Sequence, residues 1–343
     1  MKYEFYSSLA LVTSVVIYLL AMIAHAAEWA AARRIGVQAP VGGPALVGAG
    51  ARALDRPGAV GPPGFGSDAG SRGEVTSDSA GNDLPGRGAD GDPSRRVEAF
   101  GRIGVSLTLI AFGLSGVGVV SRGIAAGRAP WGNMFEFTTS AMVFIVAVYL
   151  VMVFKADMRW LGLPVTLLAA VGNGLAVTVF YVAVAPLVPA LHSVWFVIHI
   201  VAAAVAGAAF NVGGIASILY LVKKRAEDRG AVSGYLARLP STARIDLLTY
   251  RFHAFAFPLW TFTVAAGAIW AEYAWGRYWG WDPKETWALV TWVIYACYLH
   301  ARSTAGWKGT KAAVIAIIGL ASFWFNFIGI NLLVSGLHSY AGV

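Results

Sequence analysis

The residues able to do chemistry crowd one stretch. Between Trp275 and Trp287, four tryptophans (Trp275, Trp279, Trp281, Trp287) and Tyr278 alternate with Arg277, Asp282, Lys284 and Glu285. A membrane-surface loop carries one or two tryptophans as anchors, far fewer than this. Flat aromatic faces in such number suit a large planar apolar ligand with charged edges. A porphyrin with two propionates, as in haem b (iron protoporphyrin IX), has that form. Pro283 followed by Lys284, Glu285 and Thr286 also reads as a helix start, so Asp282 stands either as its cap or as a ligand contact. Arg277 and Lys284 are either propionate partners or solvated loop charges.

Six histidines accompany this stretch: His25, His192, His199, His253, His300 and His338. Imidazole is costly inside a membrane unless it has a partner, and its nitrogen is a common iron ligand. His199 and His338 fall on the same side as the tryptophans, which makes them an axial pair beside an aromatic platform. Each could instead hydrogen-bond a neighbouring helix. His25 and His300 share a depth near the other side, so they too could pair. His253 reads as a polar residue at that surface, and His192 as a solvated loop residue. The single cysteine, Cys297, reads as buried packing; one cysteine permits neither a disulfide nor a cysteine-based metal site within the chain, and no metal other than haem iron is expected.

The elements that must position these groups are membrane helices. The chain is 57% hydrophobic, only 13% charged, and has a mean hydropathy of +0.64, whereas a soluble domain would carry about 25% charged residues. The fold class is an all-α integral membrane protein. Eight spans of the length a ~30 Å hydrocarbon core demands are expected near residues 6–28, 102–121, 134–154, 162–186, 193–222, 252–271, 286–304 and 312–336. The net charge of +8 belongs to loops and implies no nucleic acid. Lys155 and Arg159, the cluster from Lys223 to Arg251, and Arg302, Lys308 and Lys311 make one side the more basic. That side is cytoplasmic by the positive-inside rule, leaving both termini and the tryptophan-rich loop extracytoplasmic in a cytoplasmic membrane. Three parts follow: a first helix in 1–34, a Gly/Pro-rich disordered cytoplasmic linker in 35–97 whose only aromatic is Phe65, and a membrane domain in 98–343. Glu136 is expected to bond structurally near Asn133, and Trp131 and Trp195 to be interfacial anchors.

The stretch Trp275–Trp287 is similar to the tryptophan-rich "WWD" signature of haem-handling proteins. Together with Leu191–His199, Tyr298–His300, Gly336–Tyr340 and Trp131–Glu136, it resembles the CcsA (ResC) family of cytochrome c biogenesis system II over about residues 100–343. That resemblance implies a membrane helix bundle in which His199 and His338 ligate haem beside the platform of Trp275, Tyr278, Trp279, Trp281, Asp282 and Trp287. It implies that His300 receives haem within the membrane. It also implies a second subunit, CcsB (ResB), whose own histidine takes the place that His25 could otherwise fill. The pair would be a haem lyase, a holocytochrome-c synthase that moves haem outward and attaches its vinyls to the Cys-x-x-Cys-His thiols of apocytochrome c. Two other readings stand beside it: a haem exporter or chaperone without ligation activity, and a haem-bearing, quinol-linked electron carrier built on His25 and His300.

Overall fold

A computed structural model describes residues 2–37 and 93–338. The interior of the expected linker, residues 38–92, lies outside the described residues. The described elements are α1 (Lys2–Val37), α2 (Pro93–Ala126), α3 (Met134–Ala156), α4 (Gly162–Thr178), α5 (Val194–Asp228), a single turn α6 (Tyr235–Arg238), α7 (Thr242–Trp275), α8 (Pro283–Ser303), α9 (Thr310–Trp324) and α10 (Ile330–Leu333). A π-helical turn, Phe325–Gly329, joins the last two.

Eight long helices therefore stand where eight were expected, but among the described residues seven are long and apolar enough to cross a membrane. The exception is α8, which carries Lys284, Glu285, His300 and Arg302. It still runs the length of the bundle beside α7. It opens at the loop that follows α7, and near its far end Arg302 makes a bidentate pair, at 2.7 and 3.0 Å, with Asp246 in the first turns of α7.

Close helix contacts rest on small residues, as expected where lipid supplies no hydrophobic drive between helices. In α2, a Cβ on Gly118 would come within 2.6 Å of Leu11, and Ser7 donates to the Gly118 carbonyl at 2.7 Å, so α1 lies directly on α2. The main core joins α3, α4 and α5 through Met142, Val146, Tyr149, Val165 and Val212. The pairs α5 with α7 and α8 with α9 complete the bundle.

The fourth span is shorter than expected. It stops at Thr178 rather than 186, because Pro186 and Pro189 cannot donate to a helix and the extended chain before them finds other partners. Arg122 donates to the Val182 carbonyl at 2.6 Å, Arg128 to that of Ala185 at 3.3 Å, and Glu4 accepts from the Val184 amide at 3.0 Å. Both arginines converge on the fully buried Glu136, at 2.9 and 2.8 Å, which also accepts from the Gly132 amide at 2.7 Å. Glu136 is thus structural, as expected, but through an arginine pair; Asn133 meanwhile caps α3 by accepting from the Glu136 amide.

Candidate functional site

Helix α7 ends at Gly276, whose φ of 68° is the left-handed cap that glycine favours. The following loop is fastened by one carboxylate. Glu285 accepts from the amides of Gly280, at 2.9 Å, and Asp282, at 3.1 Å, while the Asp282 side chain accepts from the Lys284 amide at 3.1 Å. This is a capping box, with Pro283 in the first turn of α8.

Beneath this loop a cleft with about 1480 Å³ of free space, mouth included, opens between α3, α5, α7, α8 and α9. His199 and His338 both line it, with Trp275, Tyr278, Trp279 and Lys284 around the loop end. Its walls continue along α5 to Asn211, about 18 Å deeper at 1.5 Å per residue. They are almost wholly apolar, as is usual in a small-molecule site.

The two histidines are held alike. His199 Nδ1 lies 2.9 Å from the Thr263 carbonyl, which can only accept, so the proton is on Nδ1 and the lone pair on Nε2. His338 Nδ1 lies 2.8 Å from Asp282. Burial pushes the Asp282 carboxyl up, but hydrogen bonds from His338, Leu337 and Lys284 outweigh it and hold it at about 2. Burial also pushes the His338 imidazole below its ordinary 6.5 against the pull of Asp282. An ionised carboxylate thus receives a neutral imidazole's Nδ1–H, and Nε2 again carries the lone pair. A carboxylate or carbonyl behind the far nitrogen is how metal-binding imidazoles are oriented.

Not every expected site residue reaches the cleft. Trp287 is a packing residue: its Nε1 donates to the Ser322 carbonyl at 3.0 Å and its ring lies 4.5 Å from Phe325. Trp281 points away, 68% exposed, on a backbone with φ 58°. Asp282 both caps α8 and holds His338, so its two readings are one arrangement. Arg277 folds over Gly280 and lies 3.7 Å from Glu285, outside the cleft wall.

The opposite end of the bundle corrects other expectations. His25 and His300 are not a pair. The His25 ring is fully buried against Gly104 of α2 and Gly162 of α4, with Nδ1 at 3.4 Å from Glu28. His300 is exposed on α8, which packs on α7 and α9. Cys297, one turn before it, is exposed as well and is not buried packing. His253 is no surface residue: it is fully buried among Phe210, Tyr295 and Tyr298, and among the described residues no group bonds either ring nitrogen. His192 is exposed, as expected, its Nε2 at 3.3 Å from the Leu187 carbonyl.

The cleft also contains residues that sequence reasoning passed over. Trp131 lines it rather than serving as a simple anchor, and Trp260 and Trp324 form its deeper wall. Trp270 touches both histidines, at ring separations of 5.8 Å from His199 and 5.6 Å from His338. Its spacing from Thr263 and Gly267, one helical stripe, was the available signal.

Residues 103–338 match the family described as Cytochrome C assembly protein. The chain belongs to that family of multi-pass membrane proteins. Within the family it is 35% identical over 267 residues to the cytochrome c biogenesis protein CcsA of Guillardia theta, covering 72% of this chain and 88% of the relative. It is 33% identical over 299 residues to CcsA of Gloeobacter violaceus, covering 72% and 88%. It is 44% identical over 155 residues to CcsA of Chlamydomonas reinhardtii, covering 45% and 43%. The chain is therefore of the CcsA kind, and its role lies in cytochrome c biogenesis.

Proposed function

We propose that the cleft is the place where haem is presented to apocytochrome c on the extracytoplasmic face. The observation that carries this reading is the pair of imidazoles on one cavity, each with Nδ1–H donating to a fixed oxygen, the tautomer in which Nε2 is the basic nitrogen. Two such nitrogens suit a six-coordinate haem iron. Haem here is a substrate, and the residues present fit it: aromatic faces from Trp275, Tyr278 and Trp279 for the macrocycle, and Lys284 for a propionate.

The reaction needs positioning more than a protein nucleophile. Each cysteine thiol of a Cys-x-x-Cys-His segment adds across one vinyl, sulfur to one carbon and hydrogen to the other. When the histidine of that segment displaces one axial ligand, a bimolecular addition becomes effectively intramolecular. His300, exposed on α8, supports a partner subunit of the CcsB (ResB) kind covering that face and sharing haem there on its way outward. The basic residues at that end support a cytoplasmic placement. The quinol-linked reading loses its ligands, since His25 and His300 lie on separate helix pairs, and nothing in the cleft favours mere export over ligation.

The test is the visible spectrum of the chain purified with its partner, together with the yield of covalent cytochrome c. His199→Ala and His338→Ala are expected to lose the bound-haem signal and most of the yield. An unchanged spectrum in both would overturn the assignment.

A further inference from the structure

Helix α7 presents three residues to the histidine pair on a single stripe, Thr263, Gly267 and Trp270. The Thr263 carbonyl holds His199 Nδ1 at 2.9 Å. One turn on, a Cβ at Gly267 would come within 2.8 Å of His199 Cε1 and Nδ1, so the ring occupies the space that a larger residue would fill. At Trp270 the indole stacks on His199, 22° from coplanar, and meets His338 edge-on at 67°. The indole is itself immobilised: it is 2% exposed and its Nε1 donates to the Ala190 carbonyl at 2.8 Å.

Two rings set at 22° and 67° to one common plane differ from each other by at least the difference of those angles, 45°. The imidazole planes are therefore twisted, and one side chain that donates to neither, Trp270, lies against both, with Trp275 also edge-on to His338 at 4.9 Å.

We propose that the Thr263–Gly267–Trp270 stripe is a template fixing the spacing and mutual twist of the two iron-binding imidazoles, with Trp270 as the positioning residue. This rests on the haem-presenting reading above. A carbonyl alone leaves an imidazole free to rotate about its hydrogen bond. A wedged indole removes that freedom and keeps the rings from turning parallel when iron is bound.

The experiment uses the chain purified with its partner and bound ferric haem, read by electron paramagnetic resonance and by the yield of covalent cytochrome c. Twisted axial imidazoles give a large-g, axial low-spin signal; parallel ones give a rhombic signal. The natural chain and Trp270→Phe, which keeps a flat wedge, are expected to give the large-g signal. Trp270→Leu is expected to shift toward the rhombic or high-spin form and to lose yield on the order of tenfold, the scale of a small misplacement of reacting groups. Gly267→Ala is expected to displace His199, with haem retention restored by added imidazole. If Trp270→Leu fails to fold, Gly267→Ala decides the matter alone. Natural spectra and yields in the leucine and alanine variants, while His199→Ala and His338→Ala lose haem, would overturn the template and leave the haem reading intact. Natural spectra in the two histidine variants as well would remove both.

Discussion

His199 and His253 are both histidines on long apolar helices, and they meet opposite environments. His199 keeps one nitrogen on a fixed carbonyl and turns the other to a cleft open at the loop end. His253, on the neighbouring helix, is sealed among Phe210, Tyr295 and Tyr298, and among the described residues the Tyr295 hydroxyl beside it also lacks a hydrogen-bond partner. An imidazole becomes a ligand through two conditions together: an acceptor that fixes the tautomer, and a path by which something can reach the remaining lone pair. Depth in the membrane decides neither.

That contrast can be broken most directly at Asp282. Asp282→Asn weakens the acceptor behind His338 Nδ1, so haem retention is expected to fall by about tenfold, within the range of outer-shell losses at metal sites; titration of the purified complex with haem measures it. Asp282→Ala is expected to cost more, because the α8 cap goes as well. The next largest effect separates platform from packing. Trp287→Ala is expected to destabilise the bundle by about 3 kcal/mol, the usual cost of truncating a packed aromatic, with the haem spectrum retained in the folded fraction. Trp279→Ala is expected to do the reverse. Thermal unfolding in detergent and the visible spectrum distinguish the two.

His253→Leu tests the sealed histidine. It removes two unbonded nitrogens, so stability is expected to hold or rise by about 1 kcal/mol, and cytochrome c yield to stay within twofold. A loss as large as that of His199→Ala would erase the distinction between the two histidines. The smallest effect concerns pH. Asp282 has a folded value of about 2, below its ordinary 3.8, so its contribution is complete above 3.8 and is lost only as pH falls through 2. Tryptophan fluorescence of the loop is therefore expected to show no transition from Asp282 between pH 5 and 8.

Much of this was legible in residue order. Hydrophobic runs gave the helices, and Asp282-Pro283 followed by Glu285 gave the start of α8. The shared side of the tryptophans, His199 and His338 gave the cleft. What stayed hidden depended on rotation about helix axes. Trp287 and Trp279 are equally aromatic in sequence, yet one faces α9 and the other the cleft. Cys297 and His300 sit in an apolar run but on its uncovered side. The early end of α4 was concealed because the donors that replace its lost helical bonds, Arg122 and Arg128, come from a distant part of the chain. Glu136 was visible as motif-like, but its arginine partners were not.

The carboxylate of Asp282 ties a helix start to a residue more than fifty positions downstream, since it serves the amides of Lys284 and Leu337 and the ring of His338 at once. Residue 338 arrives only after α8, α9 and α10 have been threaded. An incompletely inserted chain thus lacks one of the two imidazoles on the cleft and the support behind it, so the haem berth proposed above is finished only when membrane assembly is complete.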